Sequence, residues 1–320
     1  MNEPLRYAFF GAGVFAALCL ELLSKWKVPS WIVTSQPKAS GRGKKILLTP
    51  VGETARNVSG LRDVPLLEAA SASSDEAVLR MKNELPVNFS FVVDFGQLIR
   101  EPLLAWEERV GCLNIHPSKL PMYRGAAPIQ RALMDGEAGI GVSVFKLAAR
   151  MDAGPILLSE TIRVDPDDDF GSLRSKAALA GVRAFIDFES ANPLDSWAFE
   201  AQDDALATYA PRISAEEERI DWKRPAREIA NRVRALSPRP GAWTTLRGRR
   251  LLILKARESE RSDGHEAYSP GELRFDRACS SARAGEGFVE IVTVQTEGGR
   301  PQPASAWRNG LRPGPGESLV

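Results

Sequence analysis

An asparagine, a histidine and an aspartate, Asn114, His116 and Asp152, stand out as side chains able to move a proton or stabilise a developing charge. The chain has only two histidines, and His116 ends the apolar run VGCLNIHPS, two residues after Asn114 and directly before Pro117. Asp152 follows in the turn-like stretch MDAG. Each has an ordinary explanation: an asparagine capping a strand end, a loop imidazole before proline, an aspartate in an Asx turn. Together they describe an acyl-transfer set. An amide can stabilise an oxyanion, an imidazole with a reference pKa of about 6.5 can move a proton near neutrality, and a carboxylate can orient and charge that imidazole. Spacing alone does not bring residue 152 beside residue 116, so on these residues both readings stand.

The elements that must hold such a set are read from hydrophobic periodicity. The first two thirds of the chain alternate short β-like runs with helical patterns, which predicts an α/β, Rossmann-like, mostly parallel sheet with flanking helices. RYAFFGAG reads as a buried strand ending in a glycine turn, Val14 to Leu23 as the following helix, and SWIVTS, FSFVVDFG and VGCLNIHPS as further strands. In open α/β sheets ligands gather beyond the carboxyl ends of the strands, where Asn114, His116 and Ser118 fall. GVSVFKLAARMDAGPILLSETIRV gives two β runs joined by a turn, an antiparallel hairpin or extension, and Asp169 to Asn192 reads as a long helix. A polar helix-like segment at EEERIDW and a helix over Arg227 to Leu236 come next. Beyond Pro240 the pieces AWTTL, RLLILKA and GFVEIVTVQTE, separated by turn residues, predict a small C-terminal β-barrel of OB-like type. The boundary falls between residues 205 and 212, giving domains 1–208 and 209–320.

Two further signals carry less. GAGVFA, residues 11–16, fits G-x-G-x-x-A after a strand, but the second strand, WIVTSQ, lacks the acidic residue that would hold a ribose hydroxyl. A tight strand-to-helix turn is the expected reading, and a nicotinamide cofactor is not. The basic loop KASGRGKK, residues 38–45, is either a solvated loop or a phosphate contact in which glycines let the chain follow a polyanion.

Bulk properties bound the class. A chain of 320 residues, 43% hydrophobic and 26% charged, is ordinary for a soluble protein of about two domains. Its net charge of +1 hides an asymmetry: Trp222 to Arg261 holds twelve Lys/Arg against three Glu, a local balance of +9. A basic barrel is a common nucleic-acid platform. Three well-separated cysteines without a Cys-x-x-Cys pair argue against a disulfide framework or a zinc knuckle, and point to a reducing compartment. No metal is expected. The opening apolar run is interrupted by Gly11 and Gly13 and closed by Glu21, too short for a membrane span. The expectation is an unprocessed cytoplasmic chain with no membrane attachment.

These motifs resemble the methionyl-tRNA formyltransferase family among the folate-dependent formyltransferases. NIHPSKLPMYRGAAPIQRAL followed by GVSVFKLAARMDAGPIL is similar to the family's catalytic core, with Asn-x-His, Ser-x-Leu-Pro, Arg-Gly-Ala-Ala-Pro-Ile and Asp-x-Gly in order. GRGKK, TYAPRISAEEERIDW and ALSPRPGAWTTLRGRRLLILKA extend the likeness over nearly the whole chain. The resemblance implies 10-formyltetrahydrofolate as formyl donor and the α-amino group of initiator methionyl-tRNA as acceptor, in translation initiation. It implies Asn114, His116 and Asp152 as catalytic, with Asn114 and a His116 ring N–H facing the reacting oxygen. It further implies Ser118, Lys119, Leu120 and Pro121 as the folate-contacting element and Arg42, Lys44 and Lys45 as tRNA contacts, in a chain expected to act as a monomer. Departures are Lys119 where an apolar residue is usual, a basic loop one residue short, and Pro155 in place of a polar residue. A sugar-nucleotide N-formyltransferase and a non-catalytic RNA-binding protein remain the alternatives.

Overall fold

The computed structural model describes residues 5–40, 45–104, 110–259, 268–275, 280–311, 314 and 316–320. From the N-terminus the chain runs β1 (Tyr7–Gly11), α1 (Val14–Trp26), β2 (Trp31–Ser35), β3 (Lys38–Ser40), β4 (Lys45–Leu47), α2 (Pro50–Asn57), β5 (Leu66–Ala69), α3 (Glu76–Glu84), β6 (Phe89–Val93) and β7 (Gly111–His116). It continues through α4 (Pro128–Asp135), β8 (Gly139–Lys146), β9 (Ile156–Arg163), α5 (Phe170–Ala191) and α6 (Ala226–Leu236). Last come β10 (Ala242–Leu246), β11 (Arg249–Glu258), β12 (Leu273–Phe275), β13 (Ser280–Arg283), β14 (Phe288–Thr296), β15 (Gln302–Pro303) and α7 (Ala304–Leu311). Two compact units result. One holds Met1–Gly125, Ile140–Ile162 and Arg174–Tyr209; the other holds Ala126–Gly139, Arg163–Leu173 and Ala210–Val320.

The first unit is built on a seven-stranded sheet of order β5-β2-β1-β6-β7-β8-β9. The pairs from β5 to β7 are parallel and β8 runs antiparallel to β7, so the mostly parallel sheet read from the sequence is what forms. A sheet covered on both faces needs strands that are apolar on both sides, and YAFFG in β1 is buried at every position. Ala8, Phe10, Trp31 and Val33 enter one core with Val92 and Phe95. Tyr7, Phe89 and Phe91 meet Trp26, Phe185 and Trp197 through ring contacts of 4.9 to 5.9 Å. The helices have local starts: Thr49 accepts from Gly52 N at 3.0 Å ahead of α2, and Asp75 accepts from Ala77 N and Val78 N at 3.0 and 3.2 Å ahead of α3.

The second unit carries a six-stranded antiparallel sheet, β10-β11-β14-β13-β12 with β15 on β14. The chain's last residues join its two ends. Thr245 and Val320 exchange backbone hydrogen bonds of 2.8 and 2.9 Å beside β10, while Leu273 N donates to Glu317 O at 2.7 Å and Leu319 N to Gly271 O at 2.8 Å beside β12. Ile229, Val233 and Leu236 of α6 fill the interior with Trp222, Ile253, Val289 and Ile291. The EEERIDW segment differs from its helical expectation, since only Glu216–Glu218 form one 3-10 turn. The reason is tertiary. Ile220 N pairs with Trp243 O at 2.8 Å, and Glu217 receives both Arg131 terminal nitrogens at 2.5 and 3.0 Å, which draws the chain out of helical geometry. The Arg131 hydrogen bond also holds the Glu217 carboxyl down to about 2.

Candidate active site

Asn114 and His116 stand two apart near the carboxyl end of β7, so their side chains leave the same face of the sheet. They lie opposite Phe145 and Ser143 of β8, and the His116 ring meets Phe145 edge-on at 6.2 Å. Burial restricts the imidazole to 6% exposure, and its two nitrogens face different groups. Nε2 is 3.2 Å from the carbonyl oxygen of Tyr123, and Nδ1 is 3.9 Å from Asp152 Oδ2. A carbonyl can only accept, so Nε2 carries the proton in the neutral ring and Nδ1 is left with its lone pair toward Asp152. The nitrogen open to chemistry is therefore Nδ1. The distance of 3.9 Å is longer than a hydrogen bond, and charge draws the two groups together only when the ring is protonated.

Asp152 takes the left-handed conformation, φ 51°, which turns its carboxylate back to accept from Gly125 N at 2.8 Å. Tyr123 is also left-handed, φ 56°, unusual for a bulky residue and costing on the order of 1–3 kcal/mol. Its N–H donates to Thr208 Oγ1 at 2.8 Å, and the next N–H, of Arg124, donates to Thr208 O at 2.9 Å. These bonds fix the carbonyl that faces Nε2. Arg150, Ala153, Pro155, Gln202 and Asp204 line a concavity beside the Asp152 turn.

The loop from Ser118 to Pro121 is folded from within. Ser118 N donates to His116 O and Ser118 Oγ to Met122 O, both at 2.8 Å. Ser143 Oγ donates to Ser118 O at 2.8 Å and accepts from Leu120 N at 3.1 Å. Ser118 and Leu120 are consequently buried, while Lys119 is exposed and Pro121 partly so.

The GAG turn has its own occupant. Gly13 N and Ala12 N donate to Asp94 O at 2.9 and 3.2 Å, and the Asp94 carboxylate receives the backbone N–H groups of Phe15 and Ala16 at the start of α1. A phosphate at a helix N-terminus would use those same donors. Burial pushes the Asp94 carboxyl above its ordinary value, against the pull of these amides and Arg174. This supports a structural turn.

Arg42 and Lys44 lie outside the described residues. Lys45 opens β4, opposite Ser40 in the β3–β4 hairpin. In the second unit, Trp243 is flanked by the guanidinium of Arg250 at 4.6 Å and that of Arg219 at 5.7 Å, a cation–π stack on the basic segment. Sequence reasoning missed Tyr123, Gly125 and Thr208, because they act largely through backbone groups that leave no side-chain signature. Ser143, a fully buried polar residue inside the apolar run GVSVFK, was the one available signal.

Comparison with known proteins identifies the family. Residues 5–188 match the Formyl transferase family and residues 212–312 the Formyl transferase, C-terminal domain family. The methionyl-tRNA formyltransferase of Roseiflexus castenholzii is 36% identical over 318 residues, covering 98% of this chain and 99% of that one. Among solved structures, the fold is similar to methionyl-tRNA formyltransferase from Clostridium thermocellum, with TM-score 0.54 and 14% identity over 90% of this chain and 99% of that one. It is also similar to WlaRD, a sugar 3N-formyl transferase solved in the presence of dTDP and 5-N-formyl-THF, with TM-score 0.62 and 17% identity over 92% and 98%. At such identities the structures establish the fold alone. The near-full-length sequence match does more: this chain belongs to the methionyl-tRNA formyltransferase family.

Proposed function

We propose that the chain transfers a formyl group from 10-formyltetrahydrofolate to the α-amino group of initiator methionyl-tRNA, with Asn114, His116 and Asp152 at the reacting centre. The observation that supports this most is the convergence of His116 Nδ1 and Asp152 Oδ2 to 3.9 Å, with Asn114 on the same strand face as the histidine. An α-amino group with a pKa of about 7.7 to 8.0 is already partly neutral near neutrality, so the demanding proton is the one released after attack. His116 Nδ1 accepts that proton. The imidazolium so formed is stabilised on one side by the Asp152 carboxylate and on the other by Tyr123 O, and it returns the proton to the departing folate nitrogen. The Asn114 amide donates to the oxygen on which negative charge develops.

Lys119 and Pro121 form the folate-facing surface of their loop, and Ser118 and Leu120 hold it in shape from inside. Arg42, Lys44 and Lys45, with the basic segment from Trp222 to Arg261, contact tRNA phosphates. The reacting set comes from a single chain, so a monomer suffices for the reaction. Among the described residues no helix is long and apolar enough to cross a membrane. The test is a competition: offer 10-formyltetrahydrofolate with methionyl-tRNA and with an amino-sugar nucleotide, and identify the formylated amine. Formyl-methionyl-tRNA is the expected product. Formylation of the sugar nucleotide instead would replace this reading, and no product from either would return the chain to a binding role.

A further inference from the structure

The Asp152 turn is held from behind by a side-chain relay that the reaction scheme does not use. Arg124 is 1% exposed. Its Nε and Nη2 both donate to Gln202 Oε1, at 3.0 and 2.7 Å, and its Nη1 donates to Asp204 Oδ1 at 2.8 Å. Two guanidinium donors on one oxygen fix which way the Gln202 amide points, because a flipped amide would set N–H against N–H. The Nε2 group is thereby aimed at the catalytic turn, donating to Asp152 O at 2.9 Å and to Gly154 O at 2.7 Å. Meanwhile Gly125, the residue after Arg124, holds the Asp152 carboxylate through its N–H. The backbone of Asp152 and its side chain are gripped by separate donors, while the residue sits at a left-handed φ of 51°.

We infer that Gln202, oriented by Arg124, is a positioning residue for formyl transfer: it holds the Asp152 turn in the conformation that presents the carboxylate to His116. This rests on the proposed role of Asp152. Gln202 touches no reacting atom and acts only through Asp152. Gln202→Glu is the informative change, since it preserves shape and the acceptor for Arg124 but replaces the two Nε2 donors with an oxygen facing two carbonyls. Gln202→Met is the second variant, uncharged and of similar size, should the glutamate version fail to fold.

The experiment measures kcat and KM for both substrates in Gln202→Glu, Gln202→Met, Asp152→Asn and the Gln202/Asp152 double variants of the full chain, with thermal melts as a check on folding. The expected result is a fall in kcat of about 10- to 100-fold for each Gln202 variant, with both KM values within about twofold of wild type. In the Asp152→Asn background the same Gln202 change should alter kcat by less than about twofold, because the group it positions is already gone. Wild-type kcat in a folded Gln202 variant overturns the inference. So does a loss that multiplies in full onto Asp152→Asn, which would mean that Gln202 serves the fold generally. Wild-type turnover in Asp152→Asn alone would instead remove the reading of Asp152 on which the inference rests, and the single variant identifies that failure separately.

Discussion

Gly154→Ala probes the turn that carries Asp152 through packing rather than through charge. A methyl group at residue 154 would sit 1.8 Å from Lys146 O and 3.4 Å from Ala148 Cβ, whereas real Cβ atoms essentially never approach a neighbour within 3.0 Å. The obstacle is a backbone carbonyl and cannot swing aside as a side chain would. Lys146 N also donates to Pro155 O at 2.9 Å, so the two segments must part by more than about 1 Å and strain that hydrogen bond. Over-packing by one methyl costs about 1–3 kcal/mol, and a weakened hydrogen bond adds about 1 kcal/mol. The expected destabilisation is thus about 2–4 kcal/mol. A displacement of about 1 Å at a positioned catalytic group lowers turnover by on the order of 100-fold. The assay is urea unfolding alongside formylation kinetics, with Gly310→Ala, an exposed glycine with no atom within 4 Å of the added methyl, as the control expected to stay within about 1 kcal/mol of wild type. A Gly154→Ala chain with wild-type stability and turnover would show that the turn accommodates the added methyl without moving Asp152.

Three further outcomes follow from other parts of the molecule. In the folded chain the Glu217 carboxyl titrates at about 2 against an ordinary 4.5, so its pairing with Arg131 contributes fully above about pH 4.5 and is lost as pH falls toward 2. Allowing for solvent screening, Glu217→Gln should cost about 1–2 kcal/mol at neutral pH, and the gap to wild type in urea titrations should close as pH drops; a gap that persists near pH 2 would contradict this. Gly13→Ala would place a methyl 1.8 Å from Asp94 Oδ2, which the α1 amides hold in place, and should destabilise by about 1–3 kcal/mol in thermal melts; an unchanged melt would show that the turn has slack. Affinity for tRNA should fall steeply with salt while folate affinity barely moves, and Arg42→Ala should lessen the salt slope by about one phosphate contact. Equal slopes for tRNA and folate would remove the basic surfaces from tRNA binding.

What the sequence disclosed follows from what its side chains advertise. Unbroken apolar runs such as YAFFG and FSFVV identified the parallel strands, and the run VGCLNIHPS put the proposed reacting residues Asn114 and His116 near a strand's carboxyl end. The short β12 and β13 were not legible, because buried polar residues such as Ser280 and Ser281 do not read as core. Closure of the C-terminal sheet by residues 317–320 was hidden for a different reason: it depends on backbone pairing with strands far away in sequence. In the site, the residue types of Asn114, His116 and Asp152 were visible. The left-handed backbone at Tyr123 and Asp152 and the long-range grip of Gln202 were not, since they arise only when segments up to about 85 residues apart are brought together. The nitrogen of His116 left for chemistry depends on Tyr123 O, a group that every residue possesses and no motif marks.

The most direct test of the account is single-turnover formyl transfer to methionyl-tRNA by His116→Ala, with the dissociation constants of the folate donor and of tRNA measured on the same preparation. In the proposed reaction His116 accepts and returns the transferred proton, so the transfer rate should fall by about 100-fold or more while both dissociation constants stay within about twofold of wild type. A folded His116→Ala chain that transfers formyl at the wild-type rate would contradict the assignment of this site as the reacting centre.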